Sequence, residues 1–447
     1  MGYSTVRRIM REGLTDPRNL DGIALWNSTR DVTDLTTDTG IKLWADKSGN
    51  SSTNVLCLDG VAGNYGSAPD SAAVSITVDI DIQANVALRD WTPSAANVVC
   101  ARWAGTGASS YIFRVVTSGA LNLSYSLDGT AVISATSTAT VSFSDLSSGW
   151  IRATKQSSSG TVKFYTSTNG SIWTQLGADV AATSGAMFDG AQSLEIGSRN
   201  AGSIELLSGQ IYRLKMLNGY DGAGTLVFDA NFATCPKLAT SFTESSSNAA
   251  TVTINTSGAT GARISGARDL YQGTAANQPI LTIAAAGNYL TFDGSNDYLK
   301  AAAFALAQPE TVYFVGSQVT WASGNYLYDG GGSSSMALVQ NTSTPTLALL
   351  AGSAVAQNGG FPVATLGVVS SVYSGASSSL RINRGTPTTG NSGSGTPNGF
   401  TVGSAGGAAA HANITAQEVL VYSTAQDENY QYRVTRLLSR RTGVLVV

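Results

Sequence analysis

Few residues in this chain of 447 could carry covalent chemistry. There is a single His, His411, set in the small-residue stretch GSAGGAAAHANIT. Any Ser-His-Asp or Cys-His arrangement would have to use it. No G-x-S-x-G elbow accompanies it, so His411 reads as a loop residue on the surface. The three Cys are Cys57, Cys100 and Cys235. A zinc site needs about four N, S or O ligands, and no spacing here assembles them. Cys57 and Cys235 stand near the two ends of one strand-rich block. A bond between them is therefore one alternative, and three buried thiols are the expectation.

Carboxylates are the other candidates. Glycoside hydrolysis needs two of them facing one cleft, but Glu is scarce and no Glu has an acidic neighbour two positions away. Asp79 and Asp81 alternate in VDIDIQ and would face one side of a strand; a structural role is expected for them, and no catalytic residue is assigned. FDGSNDY offers Asp293 and Asp297 as oxygen ligands for calcium. The competing reading is a pair of Asx turns. Trp91, Trp103, Trp321, Tyr326 and Tyr328 lie beside Gly, Pro or Ser and could stack on the faces of sugars, whereas Trp150 and Trp173 belong to strand runs and read as core. STNGSIW (167–173) has a superficial likeness to a sialidase Asp-box. Asn replaces the acid and the Gly spacing differs, so a hairpin turn accounts for it better.

The background is poor in charge. Charged residues make up 12% of the chain, roughly half the usual share. Lys plus Arg total 26 against 29 Asp plus Glu, a net charge of −3, which leaves no electrostatic footprint for nucleic acid. No apolar run approaches the ~20 residues that span a bilayer. Hydrophobic residues at 43% are too many for a disordered chain. Abundant Gly with few Pro suits many short strands joined by small-residue turns.

The elements follow from periodicity. Residues 3–12 read as a short helix capped by Ser4, with Val6, Ile9 and Met10 on one side and Arg7, Arg8 and Arg11 on the other. Residues 55–235 form a long series of alternating segments. Asp128-Gly129 and Asn169-Gly170 fall between paired strands and favour the tight type I′ turn. Residues 236–270 read as a connector that pairs a strand or two, and 271–447 repeat the strand pattern. The chain ends in a helix. Ser423 and Gln426 have capping-box spacing, Tyr430, Val434, Leu437 and Leu438 recur at helical intervals, and Gly443 is the expected C-cap.

Several of these stretches resemble a known pattern. DGVAGNYGSAPDSAAVSITVDIDI (59–82), RDWTP (89–93), FYTSTNGSIWTQLG (164–177) and residues 194–233 resemble the laminin-G-like, concanavalin A-like jelly-roll modules of tailed-bacteriophage structural proteins and of actinobacterial proteins. RDLYQGTAANQPILTIAAAGNYLTFDGSNDYLK (268–300), with the terminal helix, resembles a second such module. WADKSGN (44–50) is similar to the opening segment of that second kind, although it stands before the first. The resemblance implies an all-β chain of two antiparallel jelly rolls with a short N-terminal and a C-terminal helix. The expected order is an anchoring arm at 1–50, a first jelly roll at 51–235, the connector at 236–270 and a second jelly roll at 271–447. The alternative inserts 55–260 into a larger C-terminal sandwich, and the packing of Ile41 to Trp44 separates the two.

For function the resemblance implies a non-enzymatic virion surface protein, a minor tail, fibre or head-decoration component. It would be made in the host cytoplasm, since MGYSTVRRIMREGL has no signal-peptide core. Arg7, Arg8 and Arg11 would help anchor it to other virion proteins. A glycan-binding adhesin for host attachment is the alternative, and a polysaccharide hydrolase a more remote one. No cofactor is expected beyond the calcium considered above, no membrane insertion is expected, and homo-oligomers stay open.

Overall fold

The computed structural model describes residues 17, 23–30, 32, 35–37, 40–51, 53–105, 107–285, 287–332, 334–352, 357–406 and 409–444. The helix expected over 3–12, with Arg7, Arg8 and Arg11, lies outside the described residues. Among the described residues the regular structure is nearly all antiparallel strand, and the chain divides into two compact units. One comprises residues 53–267; the other comprises residues 1–52 together with 268–447.

The inserted unit is a sandwich of two antiparallel sheets. Its larger sheet runs, in spatial order, Thr174–Gln175, Thr161–Ser167, Gly149–Lys155, Ile80–Leu88, Ser208–Asn218, Asn54–Asp59 and Arg263–Gly266. The facing sheet centres on Ala120–Tyr125, Ser109–Val115, Asn97–Trp103, Leu194–Ile196 and Tyr65–Ala68. Period-2 alternation explains the two faces. Along Ile80–Leu88, the residues Ile80, Ile82, Ala84, Val86 and Leu88 enter the core with Phe113, Leu123, Ile151 and Phe164. Asp81, Gln83 and Asn85 therefore point outward.

The expected tandem order gives way to insertion. Leu43 and Trp44 pair with Tyr271 and Leu270, and Ile23–Ser28 pairs with Asn413–Tyr422. Ile41 and Trp44 are fully buried in one core with Leu270, Phe292, Phe314, Val402 and Val419. Strands from 1–50 are thus part of the outer sandwich and not a separate arm. Asp46 ties them together by accepting hydrogen bonds from the backbone N–H of Trp26 and of Ser48, both at 2.9 Å. The segment 236–270 is also not a connector between domains: Thr251–Asn255 joins the sheet at Tyr65–Ala68, and Arg263–Gly266 pairs with Asn54–Asp59. Physically, an insert whose ends are strand neighbours leaves the host sandwich uninterrupted. Here Asn54 opposes Gly266, and Arg268 N–H donates to Ser51 Oγ at 2.8 Å.

Because its ends meet within its own sheet, a fragment of residues 53–267 is expected to fold alone. It should show a single cooperative urea transition and fixed tertiary signals in near-ultraviolet circular dichroism. A molten profile would mean that the unit needs the rest of the chain.

Both Asx-Gly hairpins pair as expected, but neither has a two-residue turn. The connections span 126–132 and 168–173. Only the glycines, Gly129 and Gly170, take positive φ, at 81° and 69°. Asp128 Oδ1 instead accepts from Thr130 and Ala131 N–H at 2.8 and 2.7 Å, and Asn169 Oδ1 accepts from Ser171 and Ile172 N–H, both at 2.9 Å. Side-chain acceptors organise a wider loop where the backbone alone would have made a tight one. A Cβ at Gly170 would lie 2.5 Å from the Trp150 ring, which is why that loop needs glycine there.

In the outer unit, the helix Glu428–Thr442, labelled α1, is capped by Asp427, whose carboxylate accepts from Tyr430 N–H at 2.8 Å. The expected cap at Ser423 is displaced because Gln426 is held before the helix, its N–H donating to Thr311 Oγ1 at 2.9 Å. Gly443 closes α1 at φ 73° as expected. Val434 and Leu438 pack with Trp26, Tyr313, Val315, Leu420 and Tyr422 on the outer face of a sheet.

Candidate functional site

The sequence-derived candidates are scattered by the fold. Trp91 is in the core of the inserted unit against Phe143, with ring centroids 5.2 Å apart. Trp103 is buried beside Val98, Ala101 and Ile112. Tyr328 is in the other core, stacked on Phe400 and accepting a hydrogen bond from Tyr373 Oη at 3.1 Å. None of these three can stack on a sugar, because neighbouring side chains cover their rings. Trp321 and Tyr326 are half-buried, and Tyr326 Oη lies 2.8 Å from Ser334 Oγ.

Trp150 is buried, as expected, but on the outer face of its sheet, and Trp173 is half-buried. Cys57, Cys100 and Cys235 are buried thiols with no disulfide among them. His411 is half-buried, its ring 6.1 Å from that of Tyr298.

Asp293 and Asp297 are brought together in one turn. Asp293 Oδ1 accepts from the N–H groups of Ser295, Asn296 and Asp297 at 2.8, 3.1 and 3.3 Å. Asp297 Oδ2 accepts from Asp293 N–H at 3.0 Å. Burial pushes Asp293 up, but the three donors outweigh it and hold its carboxyl below the usual range. Burial lifts Asp297 to about 6, helped by the charge of Asp293. Among the described residues no cluster of three or more His, Cys, Asp or Glu is placed to hold a metal ion. The hydrogen bonds in hand are those of an Asx turn.

Asp79 and Asp81 have separate jobs. Asp79 accepts from Ser157 N–H at 2.8 Å. Asp81, with no exposure, takes the Arg152 guanidinium on both oxygens, at 2.9 Å from Nε and 2.6 Å from Nη2. Arg152 also lies 4.7 Å over Tyr165 and 5.4 Å over Trp173. Trp173 meets Trp150 edge-on, and Lys215 sits over Trp150 at 5.4 Å. The outer face of this sheet is thus an interlocked layer of charges and aromatics. The alternation in VDIDIQ could signal Asp81, but its partner lies 71 residues away.

An open groove lies in the outer unit, where α1 begins. It encloses about 620 Å³ and is lined by Arg381, Asp427, Glu428, Asn429 and Tyr432. The strand Ser378–Ile382 sends Leu380 and Ile382 into the core, so Arg381 emerges on the helix side. Its Nη2 donates to Glu428 Oε1 at 2.6 Å. In the following turn, Arg384 lies 4.3 Å over the Tyr432 ring and donates to its hydroxyl. Tyr432 remains 36% exposed. Sequence reading missed these residues. The stretch 271–447 read only as repeated strands ending in a helix, and the proximity of Arg381 to Glu428 arises from packing between distant segments.

The groove supplies planar hydrogen-bonding side chains and an aromatic ring.

No family model matches the chain, and no curated protein matches it. Solved structures similar to it include a putative carbohydrate binding protein from Bacteroides ovatus, at 11% identity and TM-score 0.33 over 45% of this chain and 57% of that one. Another is the LG1-3 region of the laminin alpha2 chain, at 12% identity and TM-score 0.37 over 84% of this chain and 63% of that one. A third is Ruminococcus gnavus IT-sialidase CBM40 bound to alpha2,3 sialyllactose, at 12% identity and TM-score 0.28 over 37% and 91%. The chain spans less than two thirds of the length of the first two.

Proposed function

We propose that this chain is a non-enzymatic binding protein whose groove at the start of α1 holds a glycan. The observation that carries the reading is the lining itself: Arg381, Asp427, Glu428 and Asn429 around an exposed Tyr432. Planar polar side chains match vicinal hydroxyls, and a tyrosine ring covers the apolar face of a sugar while its edge stays wet. Binding without bond-breaking fits the carboxylates in hand, since Asp427 caps α1 and Glu428 is paired with Arg381.

The full chain is expected to retain glycans on an array, and Tyr432→Ala is expected to weaken that binding about tenfold, the loss of one aromatic contact. An array silent with and without calcium would overturn the reading. The calcium arm also tests the Asp293–Asp297 turn as an ion site. Sugar release from a bound polysaccharide would replace the binding role with a hydrolytic one.

The setting we propose is the surface of a tailed-phage particle, as a minor tail, fibre or decoration component contacting other virion proteins. Its support is the resemblance of residues 59–82, 164–177 and 194–233 to phage jelly-roll modules. A purified particle whose proteome lacks this chain would remove that support.

A further inference from the structure

We propose that the groove recognises a sugar carboxylate, and that Glu428 holds that carboxylate's place on Arg381. This rests on the glycan reading above and names the class of sugar. A guanidinium offers Nε–H and Nη2–H as a parallel fork, which a carboxylate fills with both oxygens. Two other arginines of this chain show the filled state. Arg152 reaches Asp81 at 2.9 and 2.6 Å, and Arg213 reaches Asp229 at 2.7 and 2.6 Å, through Nε and Nη2 respectively.

At Arg381 the fork is half filled. Nη2 donates to Glu428, but the Nε–H is buried with no partner. The Arg381 side chain is only 10% exposed, whereas that of Glu428 is 74% exposed. A buried unmade hydrogen bond is costly, and an exposed carboxylate is easily released to water.

The carboxylate of an incoming uronate or sialate can displace Glu428 and satisfy both edges of the fork. Asn429 and Tyr432, which line the same groove, would then contact the hydroxyls and apolar face of the ring. Glu428 therefore acts as an internal competitor that sets the affinity.

Calorimetry on the full chain would use tetragalacturonate against its methyl ester, and sialyllactose against lactose. The acids are expected to bind about tenfold more tightly than their neutral counterparts, the yield of one charge-assisted bidentate contact. The pair with the larger preference identifies uronate or sialate as the natural class. Glu428→Gln is expected to tighten the acids severalfold and to raise the ratio of acid to neutral-sugar binding. It alters an exposed side chain, so the fold should persist, as thermal melting would verify. Arg381→Lys keeps the charge, removes the fork and should abolish the acid preference.

Equal binding of acid and ester, or weaker acid binding in Glu428→Gln, overturns the inference. Equal binding of a glutamate-rich peptide also overturns it. If neutral sugars bind and Tyr432→Ala abolishes that binding, the glycan reading survives such a failure. If no saccharide of either kind binds, both fall.

Discussion

Replacing Glu310 with Gln is expected to stabilise the outer sandwich above pH 7 and to leave it unchanged near pH 4. Glu310 opens the strand Glu310–Gln318 with the parity of Val312 and Phe314, which enter the core, and it opposes Tyr373. It has no exposure, and neither carboxylate oxygen has a hydrogen-bond partner. Burial lifts its pKa from 4.5 to about 7. A folded-state pKa above the unfolded one means that the unfolded chain loses this proton first. Stability therefore falls as pH rises from about 4.5 to about 7, and the loss is complete above that. A shift of this size corresponds to about 3 kcal/mol.

Urea unfolding of the wild type from pH 4 to 8 should show that decline, and Glu310→Gln should flatten it. The two units can unfold separately, so hydrogen exchange in the strands Glu310–Gln318 and Gly367–Tyr373 would assign the effect. An unchanged pH slope in the variant would show that the carboxyl finds a partner or water.

The second large effect is expected at Arg152. Its replacement by Met leaves Asp81 buried with two remaining donors and no cation, Gly222 N–H at 2.9 Å and Gln83 Nε2–H at 3.3 Å. Removing one partner of a buried ion pair costs about 3–5 kcal/mol, because the other charge is stranded. Arg152→Met and Asp81→Asn should each lower the stability of the inserted unit by that order. The double variant should lose less than the sum, since no charge remains stranded. A urea double-mutant cycle on the chain measures this. Additive losses would mean that the pair is not coupled in solution.

Periodicity carried the β class, the placement of most strands and the terminal helix, because each depends on residues within one or two turns or strands. The C-cap at Gly443 was legible for the same reason: a left-handed residue after a helical run is a local requirement. The N-cap was less so. Ser423 has the right spacing, but Thr311, over a hundred residues away in sequence, holds Gln426 outside the helix. Likewise, Asp128-Gly129 and Asn169-Gly170 marked hairpins but not their loop lengths. Neighbouring groups, such as the Trp150 ring against Gly170, determine those.

The candidate sites divide along the same line. Trp91, Trp103 and Tyr328 looked exposed because small residues flank them, yet exposure is a property of what packs above a side chain. Arg381 and Glu428 carried no signal, since their meeting requires α1 to lie across a strand 47 residues earlier.

By itself, then, the sequence determined that this protein is built of antiparallel strands, poor in charge, and lacking the His and Cys repertoire of most catalytic centres. Alternation and composition are written residue by residue. Only the tertiary structure decided that one sandwich is inserted into another, which charges are buried as pairs, and which side chains line a groove. Those outcomes rest on contacts between distant segments, and the energy of such contacts depends on burial that no local pattern encodes.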